Sequence, residues 1–516
     1  MSKQTFIKGA LILIIAGMIS RLLGFVNRIV LARLLGDEGV GVYMLALPAL
    51  FLMITLSQIG IPVAVSKLVA EASIQNDTNR VRRILYISFT ITISLSIILT
   101  VLFILFAPIV SQHLLLDDRT YIPMLMISPI IPIIAVSSVL RGYFQGIQNM
   151  KPQAMAQVIE QVVRIGLVFL FIQIMLPYGV SYAAGGAMFA VVLGELASLS
   201  FIYYCFKTDQ HRPVSIFIKG KIDQLRNTFN DIMHIALPTA GTRLIGSVTY
   251  FLEPILVSQS LFIAGYTVSQ STAAYGQLTG YVLPLLLLPT FITHSLSVAL
   301  IPSVSEFNAL NHQNSVHYRI RQALRLSYAS GGVMTIVFML FAHPILNLIY
   351  GNVDGTQFLT FMAPFFLLLY FQAPLQAALQ ALDYAKQAMI NSLIGSLVKL
   401  STLWLLATKP SFGIEGVVIS IIVGIMVVTL LHFVTLYKTI GFMIPFSLVS
   451  KMIGLLILIY FIGERLQQLW TTDTNIISLI FAIIILMAVY LIGLILLQIV
   501  SKEEWEQLKK RSKANL

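Results

Sequence analysis

The chain has 516 residues, of which 58% are hydrophobic and only 10% charged, with a mean hydropathy of +0.89. Soluble proteins carry about 25% charged residues, so this composition excludes a water-soluble globular fold, and long uninterrupted apolar runs favour helices over barrel strands. The net charge of +12 raises nucleic acid as a partner, but the placement of the charges argues against it, as shown below.

Apolar windows of about 20 residues predict fourteen transmembrane helices. The first, 9–32, carries most of "GMISRLLGFVNRIVLARLLG" (17–36), with Arg21 near the middle of the helix. Arg21 interrupts the apolar run and no small-residue cleavage site precedes it, so the segment is not read as a signal peptide. Arg21 and Arg28 are seven apart and share one helix face with Gly17 and Gly24. Such a face suits a helix neighbour or a water-filled cavity, and Arg28 can alternatively snorkel to the outer headgroups. The next helices are predicted at 40–70, 84–110 and 121–142. "RGYFQGIQNMKP" then predicts a cytoplasmic turn carrying Arg141, Gln145, Gly146, Lys151 and Pro152. It reads either as a gate touching a lipid head group or as a tight loop packed on a neighbouring helix. The fifth helix, 152–176, aligns Gln153, Gln157, Glu160 and Arg164 on one stripe, and the sixth, 182–206, carries Glu195. Glu160 and Arg164 form an i,i+4 pair with the acid first, a favourable local arrangement, or they serve a substrate or ion. Cys205 is the single cysteine, which excludes an internal disulfide and a cysteine-based metal cluster.

A polar stretch, 207–229, reads as a cytoplasmic linker. The seventh helix, 231–261, repeats the plan of the first, with Thr239, Arg243, Gly246, Ser247 and Tyr250 at steps of three or four, followed by Glu253. The remaining helices are predicted at 275–302, 322–347, 358–378, 387–408 (with Lys399), 412–437, 447–464 and 475–500. His294 and His432 fall within helices as isolated polar residues, and "SKEEWEQLKKRSKANL" reads as a solvated cytoplasmic tail helix.

With these spans, 24 of the 33 basic residues fall in loops on one side and four on the other. This is the positive-inside pattern, so both termini are expected in the cytoplasm, and the basic charge belongs to the membrane surface. The chain also resembles itself. "SRLLG" at 20–24 matches "TRLIG" at 242–246, "RVRRIL" at 80–85 matches "RIRQAL" at 319–324, and 140–164 matches 375–399 at five of 25 positions. The last match pairs Arg164 with Lys399. The expected fold is therefore all-α and polytopic: two parallel six-helix bundles related by a pseudo-two-fold axis along the membrane normal, plus two extra C-terminal helices. The expected lobes are 1–206 and 230–438, joined by 207–229, with 439–516 outside the repeat.

Each charge at mid-membrane costs about 2.5–3.5 kcal/mol on insertion scales. Five buried cations (Arg21, Arg28, Arg164, Arg243 and Lys399) face three acids (Glu160, Glu195 and Glu253). Two readings follow: ion pairs that lock the bundles together, with Glu253 neutralising an arginine, or a site for an anionic guest. The cation excess favours the second, and guanidinium forks suit phosphate oxygens. No Walker A loop, zinc-protease motif or nucleophile triad is legible, so the sequence points away from an enzyme.

"GMISRLLGFVNRIVLARLLG", "SSVLRGYFQGIQNMKP", "EQVVRIGLVFL" and "GELASL", in that order, resemble the polysaccharide-transporter branch of the multidrug/oligosaccharidyl-lipid/polysaccharide exporter superfamily. The resemblance implies a V-shaped pair of lobes with alternating access. It implies an undecaprenyl-diphosphate-linked glycan, lipid II, as cargo, moved for spore cortex synthesis in the membrane around the forespore. Lipid II flippases rely on cavity arginines; by helix and repeat these correspond to Arg21 and Arg243, and less firmly to Arg28. No cofactor is expected, and a coupling ion is left open between Na+ and H+. Membrane lipids and cell-wall synthesis enzymes are the expected partners, and nucleic acid is not. A cation-coupled drug exporter of the same fold and a non-transporting scaffold are the alternatives. The drug-exporting branch favours cavity acids, a pattern from which this sequence departs.

Overall fold

Inside a bilayer no water is available to satisfy backbone N–H and C=O groups, so apolar runs close their hydrogen bonds within themselves. The computed structural model describes residues 3–75, 77–209, 222–470 and 476–500, and every regular element among them is helical. The tail helix expected after 500 and most of the 207–229 linker lie outside the described residues.

Residues 1–280 form one compact unit and 281–516 another. The first holds α1 (Lys3–Gln58), α2 (Ile61–Ile74), α3 (Thr78–Ile109), α4 (Tyr121–Ile127), α5 (Ile130–Gly146), α6 (Lys151–Met175), α7 (Val180–Thr208), α8 (Ile222–Ile263) and α9 (Val268–Gly276). The second holds α10 (Leu283–Leu286), α11 (Thr290–Ala309), α12 (Gln313–Leu340), α13 (Ala342–Tyr350), α14 (Thr356–Ala381), α15 (Ala385–Ala407), α16 (Gly413–Ile440), α17 (Phe446–Trp470) and α18 (Ile476–Leu496). Packing thus groups α8 and α9 with the preceding helices. This division rests on contact, whereas the lobes expected from the repeat rest on internal similarity.

Twelve helical segments among the described residues are long and apolar enough to cross a membrane, or thirteen if the bent pair Val268–Leu286 and Thr290–Ala309 is one span. That pair bends by 52° where the sequence analysis expects one straight helix at 275–302. The break falls at Leu287–Pro289; proline at 289 has no N–H to continue the ladder. The predicted helix at 121–142 is similarly divided into α4 and α5 around Ser128 and Pro129. The segment 16–74 is 59 residues long and is broken by Gly36, whose φ of 65° and ψ of −176° are open to glycine and strained for other residues. A second break comes at Gly60, also at positive φ, where α8 approaches so closely that any side chain would strike Thr239 and the Ala236 carbonyl.

Each unit has its own apolar core at the end predicted to be cytoplasmic. In the first unit Val65, Leu68, Ile84, Leu140 and Tyr143 are buried together with Ile232 of α8. In the second, Val304, Ile320, Leu375, Leu379 and Leu436 form the equivalent cluster. Large apolar side chains such as Ile98, Leu105, Leu405 and Ile484 remain exposed, as a hydrocarbon-facing surface requires.

Candidate functional site

The stripe expected on α1 for a helix neighbour or a cavity is a row of small and charged residues beside open space. A Cβ built on Gly17 meets nothing within 4 Å, and one on Gly24 meets only Gln161 Oε1 at 3.9 Å. Arg21, between them, is exposed. Arg28, one turn beyond Gly24, is half-buried and donates from Nη1 to the Thr279 carbonyl at 3.3 Å. On α8, Arg243 is exposed, and Gly241 and Gly246 again have open space beside them. Among the described residues neither Arg21 nor Arg243 forms an ion pair. The second half of α1 packs against α8: Thr55 and Ser247 hydroxyls are 2.7 Å apart, and the Phe51 and Tyr250 rings meet edge to face at 5.8 Å. Glu253 follows Tyr250 by three residues on α8.

The other deep charges of this unit converge on a separate cluster. Gly194 brings α7 so close to α6 that a Cβ there would sit 3.0 Å from the Glu160 carbonyl and 3.1 Å from Arg164 Cβ. Glu160 and Glu195 are consequently neighbours, and both are buried. Arg164 Nη2 donates to Glu160 Oε1. Arg141, at the C-terminal end of α5, turns its Nη2 inward to Glu195 Oε1 at 2.8 Å and to Ser198 Oγ at 3.2 Å. The same nitrogen is 3.8 Å from Glu160 Oε2. Two guanidinium groups and two carboxylates thus neutralise each other in a bundle interior, the arrangement that makes buried charge tolerable. From sequence, Arg141 belongs with the cytoplasmic turn, and Glu195 is an acid for charge pairing or ion coupling with no named partner. Positive-inside reasoning hides their partnership, because an arginine at a helix end is long enough to reach back into the bundle.

The turn itself lies where expected, between Gly146 and Lys151. Gly142 and Gly146 press α5 onto α2: Cβ atoms there would be 2.8 Å from the Pro62 and Ser66 carbonyl oxygens, respectively. Gln145 Nε2 bridges the turn to Gln153 Oε1 at 3.0 Å, Pro152 is buried at the start of α6, and Lys151 is exposed.

A third polar group, absent from the sequence analysis, ties together the end predicted to be external. Arg119 binds both oxygens of the buried Asp117 at 2.9 Å and Glu38 Oε2 at 2.8 Å. Thr272 of α9 donates to Asp117 Oδ2 at 2.6 Å, Ser269 donates to Glu38, and Gln277 donates to Asp37 at 2.8 Å. In the second unit, the Lys399 stem lies against Gly424 of α16, where a Cβ would be 3.0 Å from Lys399 Cβ. His432 is buried beside Asn391, whose Nδ2 is 3.1 Å from His432 Nδ1 and 2.9 Å from Thr435 Oγ1. His294 of α11 is not part of that group.

The charge inventory is therefore revised. Arg141 joins the deep cations, while Arg141 and Arg164 are matched by Glu195 and Glu160. Arg21 and Arg243 are exposed on glycine-lined faces and form no ion pair among the described residues.

Residues 6–308 match the family described as "Polysaccharide biosynthesis protein", and residues 247–405 match the MatE family. The chain is 48% identical to Stage V sporulation protein B of Bacillus subtilis (strain 168), over 98% of each chain. It is 24% identical to the lipid II flippase MurJ of the same organism, over 76% of each chain. A solved structure of the lipid II flippase MurJ in an inward closed conformation superposes with a TM-score of 0.71 at 16% identity, covering 93% of this chain and 97% of that one.

Proposed function

This chain belongs to the polysaccharide biosynthesis protein family of the multidrug/oligosaccharidyl-lipid/polysaccharide exporter superfamily, and on that basis we propose that it flips lipid II across the cell membrane by alternating access. Members of this superfamily are transporters, and the chain is a transporter rather than an enzyme.

The observation that carries the choice of cargo is the pair Arg21 and Arg243, exposed beside open-faced glycines with no carboxylate partner among the described residues. A diphosphate dianion is the part of lipid II that a bilayer opposes most. Guanidinium groups stay charged at any accessible pH and bind its oxygens in pairs. The sugar stays hydrated in a cavity and the prenyl tail stays in lipid. Arg28 adds a third guanidinium one turn beyond Gly24. The drug-exporter alternative is disfavoured because Glu160 and Glu195 are already occupied by arginines.

The finer parts of the proposal follow from the sequence. Taking the two sides of Gly36 as separate spans and the bent pair as one gives fourteen crossings; an even number leaves both ends on one side, which the positive-inside pattern of the sequence makes the cytoplasm. The lobes are 1–206 and 230–438. The likeness to a stage V sporulation protein supports a role in spore cortex synthesis at the membrane around the forespore. Purified protein in vesicles tests the reading: it should move lipid II between leaflets faster than protein-free vesicles do. Equal rates would refute it.

A further inference from the structure

The Arg141–Glu195–Glu160–Arg164 cluster has an asymmetry that a purely structural ion-pair network would not need. One nitrogen, Arg141 Nη2, already spends its two hydrogens on Glu195 at 2.8 Å and Ser198 at 3.2 Å. Yet it also stands 3.8 Å from Glu160 Oε2, at ion-pair distance without a hydrogen bond. The other Glu160 oxygen holds Arg164. The Nε atoms of both Arg141 and Arg164 are buried without a hydrogen-bond partner among the described residues. Neither guanidinium group is therefore in its best bidentate geometry, and Glu160 has two cations within reach while fully using one.

Arg164 is not sealed in: its side chain is 19% exposed. The helix carrying it packs along α1, with Gln161 Oε1 3.9 Å from a Cβ at Gly24. A phosphate reaching the exposed part of Arg164 would compete with Glu160 for it.

We propose that Glu160 is an exchangeable counter-ion: an anionic diphosphate takes Arg164 from it, and Glu160 closes the 3.8 Å gap onto Arg141. This rests on the reading of the chain as a carrier of a diphosphate-linked lipid. The exchange is a swap of ion-pair partners and makes or breaks no covalent bond. Arg164 becomes an additional ligand-binding guanidinium, while Glu160 and Arg141 are positioning residues that set its availability.

Binding of undecaprenyl diphosphate to purified protein in detergent tests this, with inorganic pyrophosphate in parallel. Glu160→Gln leaves Arg164 without a competing carboxylate, so binding should tighten about tenfold, the size of one charge-assisted hydrogen bond. Arg141→Gln removes the alternative partner of Glu160, so binding should weaken by a similar factor. The double variant Arg141→Gln/Glu160→Gln should recover the tight binding of Glu160→Gln, a rescue that a merely structural cluster would not give. Glu160→Gln/Arg164→Gln should lose the gain. If Arg141→Gln does not fold, the comparison of Glu160→Gln with Glu160→Gln/Arg164→Gln decides alone. The same order with pyrophosphate supports recognition of the diphosphate itself; the order with the lipid only supports recognition that also needs the tail. Wild-type binding with no tightening in folded Glu160→Gln overturns the exchange alone. Folded wild-type protein that binds no diphosphate lipid overturns both this inference and the functional reading beneath it.

Discussion

Replacing Gly146 tests how tightly α5 is fastened to α2. A Cβ at this position would lie 2.8 Å from the Ser66 carbonyl oxygen, 2.8 Å from Val69 Cβ and 2.9 Å from Val69 Cγ1. Ordinary carbon contacts fall at about 3.5–4.0 Å. The obstacles are a backbone oxygen and a β-branched side chain near its root, so relief requires α2 itself to shift. Overpacking of this kind costs about 1–3 kcal/mol. Gly146→Ala recovers about 1 kcal/mol of helix propensity, leaving a net loss of about 0–2 kcal/mol. Gly146→Leu places three more carbons against the same wall, so its loss should exceed about 3 kcal/mol. Gly166 is the control, because a Cβ there meets nothing within 4 Å. Thermal unfolding of purified protein in one detergent should rank Gly166→Ala at or above wild type, Gly146→Ala at or below wild type, and Gly146→Leu lowest or not recoverable. Normal yield and melting of Gly146→Leu would refute the packing argument.

Three further outcomes are expected. Reporters fused to either end of the chain should both signal from the cytoplasm; an external signal at either end removes the fourteen-span topology. Arg119→Ala should lower thermal stability by about 1–3 kcal/mol, because Asp117, with its side chain 2% exposed, would keep only neutral partners. An unchanged melting point would mean that this network contributes nothing. Asn391→Leu should destabilise by about 1–3 kcal/mol by stranding buried His432, which is 1% exposed, and unaltered stability would contradict that accounting.

Much of the helical layout was legible because lipid-facing helices announce themselves by length. The expected 387–408 and 358–378 correspond to Ala385–Ala407 and Thr356–Ala381. Breaks inside an apolar run were less visible, since "LPLLLLPT" satisfies a hydropathy window while Pro289 interrupts its hydrogen bonds. Local pairing was readable as well: Glu160 and Arg164 are one turn apart, and sequence spacing alone places them together. Arg141 and Glu195 are 54 positions apart, and Asp117 and Thr272 are 155 apart. Only the packing of α5, α6 and α7, or of α9 near Asp117, brings such groups into contact. The repeat did point to Arg21 and Arg243 as equivalents, and both emerge on open-faced stripes because a guanidinium has nowhere cheaper to go.

The central claim is that Arg21 and Arg243 supply positive charge to a diphosphate crossing the midplane. Translocation of lipid II by vesicles containing wild-type, Arg21→Lys, Arg21→Gln, Arg243→Lys, Arg243→Gln and double-Gln proteins, matched for amount, measures it most directly. The account predicts partial loss for the lysine variants, which keep the charge but lose the planar fork, and near-complete loss for the glutamine variants, with the double no better than either single. Well-folded Arg21→Gln and Arg243→Gln proteins that both move lipid II at the wild-type rate would contradict it.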